Sequence, residues 1–424
     1  MVATHPGEPT WFGQPRGLTI LFLTNMWEQF SYYGMRALLV YYMTKELLFA
    51  QEHSSFVYGA YTACAYFTPI IGGVIADRYL GKRRAIIIGA SVMALGHFMM
   101  AFEPLFYPAL ATIALGNGLF LPSLPSQIDD LYERGDPRRS WAYNVYYVGI
   151  NIGGFLAPLI CGTLGEVYGW HYGFGAAGIG MVVGLVIYLW GQKYLPDQRV
   201  GMVALGTDDA GLREPFSRPL IGLLVGIALA VTVFRGAYEQ VGNTLALWAD
   251  TGIDRAVGTF VIPMTWFQSL NPLMVMLMTP ALLAWWSRKS ASASRAALAY
   301  RMAIGSLIVA LAYAVLGTIE LMAGNAPASW MWLALFFVIF TFGELFILPT
   351  GLGIFARLAP RGQGATTVAS WYFVIFLGSL FAGVVGTLWS SMIHAAFFLL
   401  LSGLGVTAAV LLVLLQKPLD RLDG

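Results

Sequence analysis

The sequence predicts an all-α polytopic membrane protein with twelve spans arranged as two six-helix bundles. Three observations lead there. Of 424 residues, 58% are hydrophobic and only 11% charged, against roughly 25% charged in soluble domains, and the mean hydropathy is +0.68. Apolar runs of about 20 residues, the length a helix needs to cross the hydrocarbon, recur along nearly the whole chain. One long polar stretch, "KYLPDQRVGMVALGTDDAGLREPFSR" from Lys193 to Arg218, divides these runs six and six. The expected organisation is an N-terminal bundle over 1–192, a cytoplasmic linker over 193–218 and a C-terminal bundle over 219–424.

Taken in order, the first span is expected over 18–43 and is the most polar. It holds "LTNMWEQFSYYGMRALLVYYM", in which Asn25, Glu28, Gln29 and Arg36 would each be costly in a bilayer unless paired or hydrated. The second, 56–76, contains a proline and leaves through a basic loop. Spans over 85–103, 106–128, 140–163 and 172–192 complete the first set. The second set opens with 219–248, which carries Arg235 and Glu239. The eighth, 257–286, again pairs internal prolines with a basic exit, a weak echo of the second span. Spans over 298–322, 330–356 (with Glu344), 364–388 and 390–416 follow. Glu320 falls near the outer end of its span and is given no role.

Charge fixes the orientation. Of 24 Lys and Arg, Arg36 and Arg235 lie within spans, and Lys45 and Arg255 follow odd-numbered spans. The remaining twenty fall on the side shared by both termini and the linker, which the positive-inside rule makes cytoplasmic. A bacterial inner (plasma) membrane is the expected location. The net charge of +2 carries no signal for nucleic acid, because the charges are segregated along the chain. Cys64 and Cys161 both lie in apolar spans and suggest neither a disulfide nor a metal site. The five histidines lack ligand spacing, and His97 and His394 read as structural. The polar N-terminus has no signal-peptide apolar region, so the first span itself would be the targeting signal. Neither His-Glu-x-x-His nor Gly-x-Ser-x-Gly occurs, so no enzyme chemistry, catalytic residue, metal or cofactor is expected.

The loop after the second span reads "GGVIADRYLGKRR". Gly73 and Gly81 would allow close helix approach and a tight turn, Asp77 would meet a helix N-terminus or an arginine, and Arg78 and Arg83 would hold the loop in the cytoplasm. In a chain of twelve spans, this Gly-x-x-x-Asp-Arg-x-x-Gly-Lys-Arg-Arg pattern resembles the loop motif of the major facilitator superfamily, whose halves are parallel repeats. "FSYYGMRALLVYYM" narrows the field, with "YGAYTACAYFTPIIGGVIADRYLG", "LYERGDPRRSWAYNVYYVGINIGGFLAPLICG", "AYEQVGNTLALWAD", "FQSLNPL" and "FGELFILPTGLGIFARLAP". These blocks, in both halves and in order, resemble the proton-dependent oligopeptide transporter (POT/PTR) family.

The resemblance implies import of di- and tripeptides, with peptide and protons as partners in the bilayer and a monomer as the functional unit. It implies a cavity lined by Tyr32, Tyr33, Arg36, Tyr66 and Asn151, in which Arg36 meets the peptide carboxylate. Asn271 and Glu344 would meet the amino group, and Trp371 would form part of a side-chain pocket. Glu239 would couple protons and pair with Arg36. Independently of the resemblance, Glu28, Glu239 and Glu344 are the acids most clearly embedded in spans, where ionisable groups mark substrate or proton paths.

Five positions depart from the family pattern. The Glu-x-x-Glu-Arg motif reads Asn25, Glu28, Gln29; a fourth-span lysine is Leu121; a seventh-span tryptophan is Arg235; and a tenth-span serine is Leu348. Arg235 restores one positive charge and, four residues before Glu239, can pair with it in competition with Arg36. Two alternatives therefore stand: a peptide importer coupled through Glu239 and possibly Glu28, or a member diverged in substrate or coupling. The 26-residue linker is too short and too polar for the two extra spans that many bacterial members insert there.

Overall fold

The structure, a computed structural model, describes residues 10–11, 13–133, 136, 138–196, 214–287, 294–324, 326–360 and 363–423. Most of the expected linker, 197–213, lies outside the described residues. Twelve helices of 18 residues or more occur among those described. They are α1 (Arg16–Tyr41), α2 (Gln51–Ile75), α3 (Lys82–Met99), α4 (Phe106–Asp130), α5 (Arg138–Ala157) and α6 (Trp170–Gly191). The second set is α7 (Arg218–Tyr238), α8 (Leu270–Ser287), α9 (Arg295–Ala323), α10 (Trp330–Leu358), α11 (Gly364–Gly386) and α12 (His394–Leu414).

Ten helical stretches among the described residues are long and apolar enough to cross a membrane. The two long helices outside that set are α1 and α3. In α1 the cause is the polar run from Asn25 to Arg36, and in α3 it is Lys82, Arg83 and Arg84 in the first turn. The α7 helix continues through a tight 3₁₀ turn, Glu239–Gly242, into Thr244–Thr251. The eighth helix starts later than the sequence suggests. Residues from Arg255 contain a hairpin, Ala256–Val257 against Phe260–Val261, turning at Gly258 with φ of 62°, a value only glycine adopts freely. Pro263 then precedes a 3₁₀ segment, Met264–Ser269, that leads into α8.

By its contacts the chain divides into two compact units, Met1–Leu39 with Phe67–Ala204, and Val40–Tyr66 with Leu205–Gly424. In the first, α3 lies against α4 and α6 over a core that includes Ile86, Met93, Phe120, Leu124, Met181 and Tyr188. Backbones approach closely there: a Cβ on Gly89 would sit 2.7 Å from the Gly116 oxygen. In the second unit α9 packs on α10 and α12 around Trp248, Tyr313, Phe336, Phe340 and Phe398.

The segment Val40–Tyr66, which the span count assigns to the first set, packs within the second unit. Tyr41 donates to the Ala246 carbonyl at 2.7 Å, Ser55 to Asn243 Oδ1 at 2.8 Å, and Gln51 to the Gly386 carbonyl at 3.0 Å. Lys45 pairs with Asp250 at 2.7 Å, and Arg255 approaches the same carboxylate at 3.5 Å. Gly59 faces Gly383 so closely that a Cβ would overlap the backbone.

Candidate functional site

The loop motif lies in the first unit. The chain turns from α2 to α3 at Gly81, whose φ of 76° answers the expected role of that glycine. Close approach of α2 to α4 falls on Gly72, where a Cβ would overlap the Gly118 carbonyl; Gly73 meets only Pro122, at 3.5 Å. Asp77 and Arg78 are exposed. The ties that hold the loop come from its basic residues. Lys82 bonds Asp130 at 2.8 Å and the Ser126 carbonyl at 3.0 Å, and Arg83 donates to the Leu195 and Pro196 carbonyls. The loop thus fastens the C-terminal ends of α4 and α6. Between α4 and α5, Asp136 accepts from the Arg138 guanidinium at 2.8 Å and from its backbone N–H, and those bonds hold its carboxyl below the usual carboxylate range.

On α1 the polar run has specific partners. Asn25 Nδ2 donates to the Tyr146 carbonyl on α5 at 3.2 Å. Glu28, 1% exposed, accepts from Gln29 Nε2 at 2.6 Å, and no cation is bonded to it among the described residues. The amides therefore have separate duties: one ties α1 to α5 and the other meets the acid. One turn further, Tyr32 and Tyr33 meet edge to face at 5.4 Å, and the Arg36 guanidinium lies 6.0 Å from the Tyr33 ring. Asn151 on α5 donates to the Tyr147 carbonyl at 2.9 Å.

The second unit holds two buried acids. Arg235 and Glu239, one turn apart on the seventh span, form an ion pair with side chains 3% and 2% exposed. The same guanidinium contacts Ser379 Oγ at 3.2 Å and lies 5.2 Å from the Tyr66 ring and 5.5 Å from the Tyr238 ring. Gly378 makes room for it, since a Cβ there would sit 2.7 Å from Arg235 Cβ. The helix backbone sets this spacing, because residues four apart share a face.

Glu344 on α10 accepts Tyr238 Oη–H at 2.8 Å on one oxygen and Asn271 Nδ2–H at 2.5 Å on the other. Asn271 also reaches Thr341 Oγ1 at 3.0 Å. The expected partners Asn271 and Glu344 are thus joined directly. Trp371 is buried, enclosed by Gly351 and by Phe355 at 5.2 Å.

Three participants carried no clear signal in the sequence. Tyr238 sits beside Glu239 in "AYEQ", where nothing in the pattern sets it apart from a packing aromatic. Ser379 and Thr341 are hydroxyls in apolar helices, where bonding to the helix's own carbonyls is the common use. Glu320 also has a place: it accepts from Trp248 Nε1 at 2.9 Å and meets His394 at 3.3 Å, with His394 stacked on Trp389.

The family model described as "POT family" matches residues 83–205 and 219–399. An uncharacterized transporter, YclF of Bacillus subtilis, is 30% identical over 97% of this chain and 95% of its own length. The peptide transporter YePEPT of Yersinia enterocolitica is 30% identical over 98% of this chain and 97% of its own. That alignment runs to 496 positions, whereas 98% of 424 residues is about 416, so the relative carries some 80 residues opposite gaps. Among solved structures, a peptide transporter POT in complex with sulfate superposes with a TM-score of 0.88 at 28% identity, covering 98% of this chain and 97% of that one.

Proposed function

The chain belongs to the POT family, and from that premise we propose that it imports di- and tripeptides by alternating access, with protons as the driving ion. It is a multi-pass membrane transporter. We place its termini in the cytoplasm on the charge distribution described above, place it in the bacterial inner membrane on the likeness to bacterial transporters, and take a monomer as the functional unit, as the family resemblance implies. The observation that carries the substrate reading is Glu344, a buried carboxylate bonded by the neutral donors Tyr238 and Asn271. An ammonium is the ligand that complements it, and a short peptide supplies one at its N-terminus. Arg36 on α1, beside Tyr32 and Tyr33, is the matching cation, donating to the peptide carboxylate. Tyr66 and Asn151 line the path, and Trp371 backs a side-chain pocket. Glu239 is the coupling acid: its proton would break the Arg235 pair and bias one of two conformations. Glu28 is the second candidate for that role. Gly73, Asp77, Arg78, Gly81 and Arg83 belong to the loop that moves with the first unit.

The test is uptake of dialanine and trialanine by proteoliposomes with and without an inward proton gradient. Accumulation above the external concentration only with the gradient supports the reading, and uptake indifferent to it rejects the coupling. Arg235 favours a second reading, in which the additional cation suits an anionic or modified peptide. A thermal-shift panel separates the two: stabilisation by plain dipeptides counts against the second reading.

A further inference from the structure

One side chain touches both halves of the proposed chemistry. Tyr238 places its ring 5.5 Å from the Arg235 guanidinium, which holds Glu239, and its hydroxyl donates to Glu344 Oε1 at 2.8 Å. Its ring is steadied by Phe340 on α10, stacked at 5.5 Å with planes 20° apart. We infer that Tyr238 is a positioning residue that links peptide binding at Glu344 to proton binding at Glu239.

The physical chain is short. Glu344 is bonded by Tyr238 on one oxygen and Asn271 on the other. A peptide ammonium arriving at Oε1 competes with the tyrosine hydroxyl for that oxygen. Once displaced, the hydroxyl no longer anchors the ring, which is then held only by its stack on Phe340, and the cation–π contact to Arg235 weakens. Arg235 then rests on Ser379 and the Tyr66 ring, and its geometry towards Glu239 changes. Linkage runs both ways, so a change in the Glu239 pair must alter peptide affinity by the same factor. The other polar groups facing this pair are Tyr66 with its neighbour Tyr372, Ser379, and Tyr313, whose hydroxyl donates to the Ala237 carbonyl. None of them is hydrogen-bonded to Glu344 among the described residues. Tyr238 alone in this set is bonded to one acid and in contact with the cation of the other. The sequence neighbour of the coupling acid thereby acquires a function of its own.

This inference rests on the peptide reading given above, and the experiment separates the two. Dialanine affinity is measured by calorimetry between pH 5.5 and 8 for the parent and for Tyr238→Phe, with N-acetyl-dialanine as the probe lacking an ammonium. Tyr238→Phe keeps the ring and its stack on Phe340 but removes the donor to Glu344, so an arriving ammonium can no longer change the hold on the ring. For the parent, the expected result is a dissociation constant that changes several-fold across the range for dialanine and stays flat for the acetylated probe. For Tyr238→Phe the dialanine constant is expected to become flat, while affinity at its best pH stays within about threefold of the parent. Gradient-driven accumulation should fall about tenfold, clearly more than counterflow exchange, which needs no gradient. A parent that binds no dialanine at any pH rejects the function itself. A parent slope that Tyr238→Phe preserves, or parallel loss of counterflow and accumulation, rejects the role of Tyr238 alone. Tyr238→Leu, which also lacks a donor at that oxygen, replaces Tyr238→Phe if the latter does not fold, with the same expected and overturning results.

Discussion

Removing either member of the Arg235–Glu239 pair leaves the other charge to its surroundings, and those surroundings differ. Both side chains are almost fully buried. Breaking a buried pair by removing one partner costs about 3–5 kcal/mol, because the survivor is an uncompensated charge. In Glu239→Gln the survivor is a guanidinium, which cannot shed its proton. It keeps Ser379 and two aromatic faces, however, and the new amide oxygen still accepts a bond. Those two ring contacts, each worth about 0.5–2 kcal/mol, keep the cost in the lower part of that range, about 3 kcal/mol. Removing both charges in Arg235→Gln/Glu239→Gln strands nothing and should cost under about 1 kcal/mol. A double-mutant cycle in mixed micelles, followed by unfolding in sodium dodecyl sulfate, reads these differences. An interaction energy of about 2 kcal/mol is expected. Single-variant costs that simply add, within about 0.5 kcal/mol, would refute the pair as the charge partner of Glu239.

The other expectations are simpler. Glu28→Gln leaves no cation stranded, since Glu28 is bonded to Gln29, and should change stability by less than about 1 kcal/mol in the same assay. Gly72→Ala drives a Cβ into the Gly118 carbonyl and should destabilise by about 1–3 kcal/mol; Gly73→Ala meets open van der Waals space and should be neutral or slightly stabilising, so equal effects would contradict the assigned crossing. Asp136→Asn should lower stability by about 1 kcal/mol at pH 7, the order of one charge-assisted hydrogen bond. Because Arg138 holds the Asp136 carboxyl low when folded, the advantage of the parent is complete above its ordinary value of 3.8. It should fade as pH falls through the lowered folded value, and thermal melts of both proteins across that range check the sign.

Much of the molecule was legible because apolar runs and charge placement are strong local signals. Among the described residues twelve long helices occur near the expected spans, and the pairing of Arg235 with Glu239 needs only helical spacing. Asn271 and Glu344 followed from the resemblance, and their hydrogen bond agrees with a shared task. Other features were not readable from one dimension. The glycine motif could not say which of two adjacent glycines faces α4, because that depends on helix rotation. For Asp77 the motif allows either a helix N-terminus or an arginine as partner; the residue is exposed, and Lys82 and Arg83 hold the loop through Asp130 and backbone carbonyls that no motif encodes. Tyr238 escaped notice since its two contacts lie on opposite ends of one side chain. The packing of Val40–Tyr66 with the second unit follows from tertiary bonds such as Tyr41 to Ala246, which a count of spans cannot contain.

The central claim is that peptide enters with protons and that Glu239 carries the coupling. Proteoliposomes loaded with a pH-sensitive dye and held at an inside-negative potential test it most directly. Adding dialanine outside should acidify the lumen of vesicles containing the parent, and Glu239→Gln vesicles should exchange peptide without acidifying. Peptide entry without acidification in the parent, or full acidification with Glu239→Gln, would contradict the account.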